Sequence, residues 1–231
     1  MMTDLSRLYD AVEATWPAAH MWQQDGWTMR DGAGGGKRVS AATAERVGVA
    51  PQGPLPDLVM VREGEDSLDT TLEAAGHQII DPVIVYQAPC APLARLTPPG
   101  IRTITATRPL ARMRQIWADG GIGEARLAVM ERVQGPKTYA MGRVNDRIAA
   151  CAFAACHEDI VMLHALEVSP AARRSGLGRD VTAALARWGE LQGAKIFALL
   201  ATIDNAPARA LYEGLGMVSA GQYHYRTKPR G

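Results

Sequence analysis

The run Leu166-Glu167-Val168-Ser169-Pro170-Ala171-Ala172-Arg173-Arg174-Ser175-Gly176-Leu177-Gly178-Arg179 reads as the end of an apolar strand, a basic glycine loop and the start of a helix. Two glycines let the backbone approach a ligand closely. Three arginines add charge, and the first turn of the helix aims unpaired N–H groups and the positive end of its dipole at the same loop. Three cations there oppose that dipole, a conflict that a bound anion resolves. The chemistry that suits such a cradle is the binding of a pyrophosphate. Spacing excludes the two commonest nucleotide loops. No Gly-x4-Gly-Lys-Ser/Thr string surrounds Gly176, and Val181 stands where a dinucleotide fingerprint places its third glycine.

What remains is Arg-x-x-Gly-x-Gly on Arg173, Gly176 and Gly178, after a strand ending Val168-Ser169-Pro170. This pattern resembles the acyl-coenzyme A loop of the GCN5-related N-acetyltransferase family. A second element, Asn205-Ala206-Pro207-Ala208-Arg209-Ala210-Leu211-Tyr212-Glu213-Gly214-Leu215-Gly216-Met217, resembles the family's Asn-x-x-Ala-x-x-Leu-Tyr-x-x-x-Gly-Phe segment, with Met217 in place of the aromatic. The resemblance implies an α/β (α+β) fold, a mixed and mostly antiparallel sheet flanked by helices. It implies acetyl-coenzyme A as co-substrate, direct transfer of the acyl group to an amine, and no metal.

Residue by residue, the resemblance gives the pyrophosphate to Arg173, Arg174, Ser175, Gly176, Leu177, Gly178 and Arg179. The pantetheine arm pairs with the backbone of Leu166 and Val168 like an added strand, and the Val168 N–H is the candidate donor to the thioester oxygen. Asn205 contacts the cofactor; the local reading makes it an N-cap, and the two are compatible. Tyr212 matches the tyrosine whose hydroxyl lies near the sulfur, where a phenol can serve the leaving thiolate; its alternative is core packing. Glu167 interrupts an apolar strand beside that site and is the candidate general base, or else a rim carboxylate that recognises a cationic amine. Strict alternation places Glu167 with Ala165 and Leu163 on one face, and His164 with Leu166 and Val168 on the other, unless a bulge intervenes. His164, Tyr223 and Tyr225 are candidates for the acceptor site, each with a packing alternative.

The elements that must position these residues follow from periodicity. Residues 6–19 carry Leu8, Val12 and Trp16 at helical spacing, with Pro17 as the stop. Two strands, Gly26 to Arg30 and Arg38 to Thr43, flank Gly32-Ala33-Gly34-Gly35-Gly36, which reads as a flexible hairpin connection. Leu58 to Arg62, Ser67 to Ala75, Gly76, and Gln78 to Gln87 give strand, helix, glycine, strand, the order repeated by Phe197 to Ile203, Asn205 to Leu215, Gly216, and Met217 to Tyr225. Residues 1–95 are therefore either a worn half-copy of the acetyltransferase fold, lacking the arginine-glycine loop, or an extension that covers the sheet edge or shapes the substrate site. Cys90 to Gly100 is the expected linker. Residues 96–231 form the complete acyltransferase domain: strand 101–107, helices 109–117 and 124–133, strands 138–144, 147–156 and 160–168, helix 174–192, then strand, helix, strand.

Composition bounds the partners. The chain has 231 residues and a formal charge of +1, but residues 1–100 carry 7 Lys and Arg against 13 Asp and Glu, and residues 101–231 carry 18 against 11. A basic C-terminal part suits a polyanionic co-substrate. The cations are scattered without runs or interleaved aromatics, which argues against nucleic acid. No apolar run reaches the length of a membrane span. Three cysteines and no secretory leader predict a cytoplasmic, reduced protein. Cys151 and Cys156 point to opposite faces of one strand and so suit packing rather than metal binding. The acceptor is an amine, on a small molecule or a protein, and a homodimer through the last strands is compatible with the pattern.

Overall fold

The computed structural model describes residues 3–49, 51–96 and 102–229. Helix α1 (Leu5–Thr15) starts at Asp4, whose carboxylate accepts from Ser6 N. The hairpin expected around the glycine cluster is replaced by another. Strands β1 (His20–Gln24) and β2 (Trp27–Asp31) pair across Asp25 and Gly26, both at positive φ (53° and 84°), and β2 pairs onward with the short β3 (Thr43–Ala44). Lys37–Val39 is a 3-10 turn, not a strand. The glycines are packed rather than loose: a Cβ on Gly35 would lie 2.6 Å from Val129 Cγ2, and one on Gly32 2.4 Å from Ser40 Oγ. Close backbone approach explains them.

Strand β4 (Leu58–Arg62), helix α2 (Asp66–Ala74) and strand β5 (Gln78–Pro89) follow. The expected linker begins as a helix, α3 (Cys90–Ala94), because tertiary contacts override its prolines. Cys90 Sγ donates to the Ala186 carbonyl at 3.1 Å, and Arg187 Nη1 donates to the carbonyls of Ala94 and Leu96 at 3.0 and 2.8 Å. Residues 97–100 of that linker, and Ile101 at the start of the next predicted strand, lie outside the described residues. The remainder is β6 (Thr103–Ala106), α4 (Ala111–Asp119), α5 (Glu124–Arg132), β7 (Lys137–Val144), β8 (Arg147–His157), β9 (Ile160–Val168), α6 (Leu177–Leu191), β10 (Ile196–Thr202), α7 (Ala206–Gly214) and β11 (Val218–Thr227). That is the predicted order of strands and helices.

One eight-stranded sheet runs β4-β11-β5-β10-β9-β8-β7-β6. Every neighbouring pair is antiparallel except β9 with β10. Helices α3, α6 and α7 pack on one face, over Ala152, Leu163, Phe197 and Leu199. Helices α4 and α5 cover the other, over Tyr139, Cys151 and Phe153, and α1 adjoins them. Cys151 and Cys156 fall in these two different cores, as alternation requires. All three cysteines are buried and unpaired, and burial raises their thiol pKa values, for Cys90 and Cys156 up to about 12. Among the described residues no helix is long and apolar enough to cross a membrane.

The repeated strand, helix, glycine, strand order has a repeated geometry. Gly76 and Gly216 end α2 and α7 at φ 83° and 78°. His77 N donates to the Leu72 carbonyl at 2.9 Å, and Met217 N donates to the Tyr212 carbonyl at 3.1 Å, the same helix-ending bond. The two units interleave: β5 lies between β11 and β10, and β11 between β4 and β5. Strand β11 is paired on both sides within the chain, with β4 and β5.

Candidate functional site

Strands β9 and β10 pair only from Ile160 with Ile196 to Leu163 with Leu199. Beyond that point β9 continues to Val168 and β10 to Thr202 without pairing to each other, which leaves a gap in the middle of the sheet. The cause is a bulge. Ala165 adopts φ 53°, and the register with β8 shifts between Cys151–Glu167 and Phe153–His164. The buried Trp117 on α4 pins the bulge, its indole Nε1 donating to the Ala165 carbonyl at 2.7 Å.

The bulge also corrects the facing expected from strict alternation. Leu163, Leu166 and Val168 all turn to the α6 side, where they border one core. His164 and Ala165 turn to the opposite side, toward Trp16 and Phe153. Glu167 joins them there. Its carboxylate lies against Gly120, where a Cβ would come within 2.7 Å of Glu167 Cδ. The single extra residue thus puts His164 and Glu167 on one face.

On the α6 side the gap leads to the basic loop. Gly176 is the residue before the helix at φ 84°, Arg174 is left-handed at φ 64°, and Arg174, Ser175, Gly176 and Arg179 are exposed. Strain in a solvent-facing loop at a helix N-terminus is typical of a ligand site. Leu177 is a core residue, so its part is to anchor the helix. Gly178 serves close packing, since a Cβ there would meet Leu211 Cδ2 on α7 at 2.9 Å. Arg173 folds back on the end of β9, its Nε donating to the Val168 carbonyl at 3.2 Å and its Nη2 lying 3.5 Å from Glu167 Oε1. The outward cations are therefore Arg174 and Arg179.

Arg102 also holds this loop. Its Nη2 donates to the Ser175 carbonyl at 3.0 Å, and its Nη1 lies 2.8 Å from Oδ2 of the buried Asp180. The signal for it was Asp180, an acid beside Arg179 in the first turn of α6.

Helix α7 closes the far side of the gap. Asn205 is its N-cap, accepting from Ala208 N at 3.2 Å, and is otherwise exposed. Tyr212 is 5% exposed, packed in the α6–α7 core with its ring centroid 6.1 Å from that of Tyr86. Burial raises its phenol pKa well above the usual value. The neighbouring Tyr86 hydroxyl donates to Glu213 Oε1 at 2.7 Å, whereas the Tyr212 hydroxyl bonds to no other described residue.

On the opposite face the parted strands open into a cavity of about 330 Å³. Ala165 and Thr202 form its floor, and Trp16, Lys37, Arg38, Arg126, Tyr223 and Tyr225 its walls. Tyr223 and Tyr225 share one face of β11, their hydroxyls 3.4 Å apart, while His224 and Arg226 on the other face both bind Asp69. His164 is buried behind the wall. The Thr15 hydroxyl donates to the Ala11 carbonyl at 2.6 Å, so it accepts from His164 Nε2 at 2.9 Å, and Nδ1, left unprotonated, accepts from Arg38 Nη1 at 3.3 Å. Burial first, and the Arg38 charge second, hold the imidazole pKa well below 6.5. Trp16, Arg38 and Arg126 carried no motif and were missed. A larger hollow of about 580 Å³ beside α2 shares only Tyr223 with this cavity and touches neither β9 nor the loop. Among the described residues, no group of three or more His, Cys, Asp or Glu could hold a metal.

Residues 140–226 match the family model described as FR47-like protein. The GCN5-related N-acetyltransferase from Kribbella flavida is 17% identical and superposes with a TM-score of 0.74, covering 100% of this chain and 98% of that one. A functionally unknown conserved protein from Staphylococcus epidermidis ATCC 12228 is 11% identical with a TM-score of 0.63, over 90% of this chain and 93% of the other. A tandem GNAT protein from the clavulanic acid biosynthesis pathway is 15% identical with a TM-score of 0.53, over 80% and 63%. No curated protein matches the sequence.

Proposed function

From a chain that has the GCN5-related N-acetyltransferase fold and an FR47-like segment over residues 140–226, we propose an acyl-coenzyme A dependent N-acyltransferase, transferring acetyl directly to an amine. The observation that carries this reading is the parting of β9 from β10 after Leu163 and Leu199, with the basic loop at one mouth and the cavity at the other. Two substrates that must meet at one bond need two approaches to one point.

On the donor side, the N–H groups at the start of α6, with Arg174 and Arg179, hold the pyrophosphate of acetyl-coenzyme A. Arg173, occupied with Val168 and Glu167, orders the end of β9. The unpaired β9 edge at Leu166 and Val168 receives the pantetheine amides, as an added strand would be received. The Val168 N–H polarises the thioester oxygen, and Asn205 keeps its capping bond while bordering the same groove.

On the acceptor side, the amine enters from the cavity face. As the C–N bond forms and the C–S bond breaks, Glu167 accepts the amine proton through water. Tyr212 hydrogen-bonds the departing thiolate. Its pKa lies above the ~8.5 of a thiol, so the phenol stabilises that anion without surrendering its own proton. Residues 96–231 are the acyltransferase domain, and residues 1–95 are a half-copy lending Trp16, Lys37 and Arg38 to the acceptor wall. Three buried, unpaired thiols suit a cytoplasmic setting.

Isothermal titration with acetyl-coenzyme A, followed by a thiol-release screen against pooled amines, tests the reading. Binding plus amine-dependent thiol release is the expected result. Binding without release from any amine would favour a non-catalytic acyl-coenzyme A module, and absence of binding would remove the donor site altogether.

A further inference from the structure

We propose that the acceptor is a small amine bearing a carboxylate, and that Arg38 recognises that carboxylate in the cavity floored by Ala165 and Thr202; this rests on the acyl-transfer reading. The cavity wall carries three cations, Lys37, Arg38 and Arg126, against one lining acid, Asp81. Lys37 and Asp81 neutralise each other in an ion pair at 2.5 Å. Arg38 and Arg126 form no ion pair with any described residue.

Arg38 is held as a receptor rather than left as a solvated charge. Its Nη1 is spent on His164 Nδ1, and its guanidinium carbon lies 5.8 Å from the Trp16 ring centroid. Its Nε is buried and has no acceptor among the described residues, and the Tyr225 hydroxyl lies beside the same guanidinium. A buried donor on a cation is costly unless an anion meets it. The planar fork of arginine matches a carboxylate through two parallel bonds. Arg126, packed on Gly36 at 3.6 Å from a Cβ placed there, adds a second positive charge at the same wall. His164, fixed by Thr15, can only accept from Arg38 and so sets the direction of the fork. A cavity of about 330 Å³ suits an amino-acid-sized molecule.

The test compares matched amines: free amino acids, their carboxamides, the decarboxylated amines and a phosphate-bearing amine. Thiol release is read with wild type, Arg38→Gln and Arg38→Lys, each first checked for melting temperature and acetyl-coenzyme A affinity. Wild type should favour the carboxylate member by about tenfold to hundredfold in kcat/KM, the range expected of a charge-assisted bond pair. Arg38→Gln should erase that ratio by raising the acid's KM, with acetyl-coenzyme A affinity held within about twofold, and Arg38→Lys should keep part of it. Equal turnover of acid and carboxamide, a preference for the phosphate amine, or an unchanged ratio in Arg38→Gln would each overturn the proposal. Should no amine release thiol, direct titration of the amino acids into wild type and Arg38→Gln separates the two failures. Binding lost only in the variant keeps the carboxylate site while the acyl-transfer reading falls, and no binding to wild type ends both.

Discussion

The Trp117 indole N–H donates to the carbonyl of Ala165, the residue whose left-handed turn swings β9 away from β10. A left-handed non-glycine residue costs ~1–2 kcal/mol, and here one buried hydrogen bond helps to hold it. Trp117→Phe removes the donor and also part of a fully buried ring, so a cavity cost adds to the lost bond. The variant should lose about 1–3 kcal/mol of stability by urea denaturation. It should also bind acetyl-coenzyme A more weakly in titration, because the gap depends on the bulge. A variant that loses stability but keeps full affinity would show that the gap holds without this bond.

His164 links the cavity wall to pH. Its folded-state pKa is lowered, so between that value and 6.5 the unfolded chain binds a proton that the folded protein refuses. Stability contributed by the neutral imidazole is therefore present above about pH 6.5 and lost as pH falls below it, at up to ~1.4 kcal/mol per pH unit. His164→Gln removes the titration. Denaturation curves at pH 7.5, 6.5 and 5.5 should show wild type losing stability faster than the variant below 6.5. Parallel losses in the two proteins would mean that His164 is protonated when folded.

Arg102 and Asp180 brace the basic loop from beneath. Arg102→Gln leaves Asp180 buried without its cation, and breaking one side of a buried pair costs ~3–5 kcal/mol. Adding Asp180→Asn should recover much of that loss, a coupling that a double-mutant cycle measures directly. Acetyl-coenzyme A affinity should drop in Arg102→Gln, through the Ser175 carbonyl that Arg102 holds. Simple addition of the two single losses would refute the coupling.

Local pattern made the basic-loop side of the candidate site legible. The glycine loop, the N-cap at Asn205 and the strand order 138–168 all depend on residues near one another in sequence. The N-terminal hairpin also had a local cause, the turn at Asp25-Gly26, whereas the tight packing of Gly35 comes from Val129, far along the chain, and not from flexibility. The cavity side depends on contacts across the chain. Arg38 meets His164 from 126 positions away, and Trp117 reaches Ala165 from 48. The facing of Glu167 and His164 turned on one bulged alanine, and period-two reasoning cannot place a bulge in a run of apolar residues. Insertion of β5 between β10 and β11 is likewise a pairing of distant segments.

Tyr212 gives the sharpest separation of packing from chemistry. The ring is buried in the α6–α7 core, and its hydroxyl bonds to no other described residue. Tyr212→Phe keeps the ring and should change stability by less than ~1 kcal/mol, since no intramolecular bond is lost. Turnover should fall much further, about tenfold to hundredfold in kcat, because the departing thiolate loses its donor. Acetyl-coenzyme A affinity should stay near wild type. With its pKa raised by burial, the phenol stays protonated through neutral pH, so its loss should scale the pH–rate profile without moving either limb. A variant with wild-type kcat would reduce Tyr212 to a core residue, and a shifted alkaline limb would mean that the phenol gives up its proton during turnover.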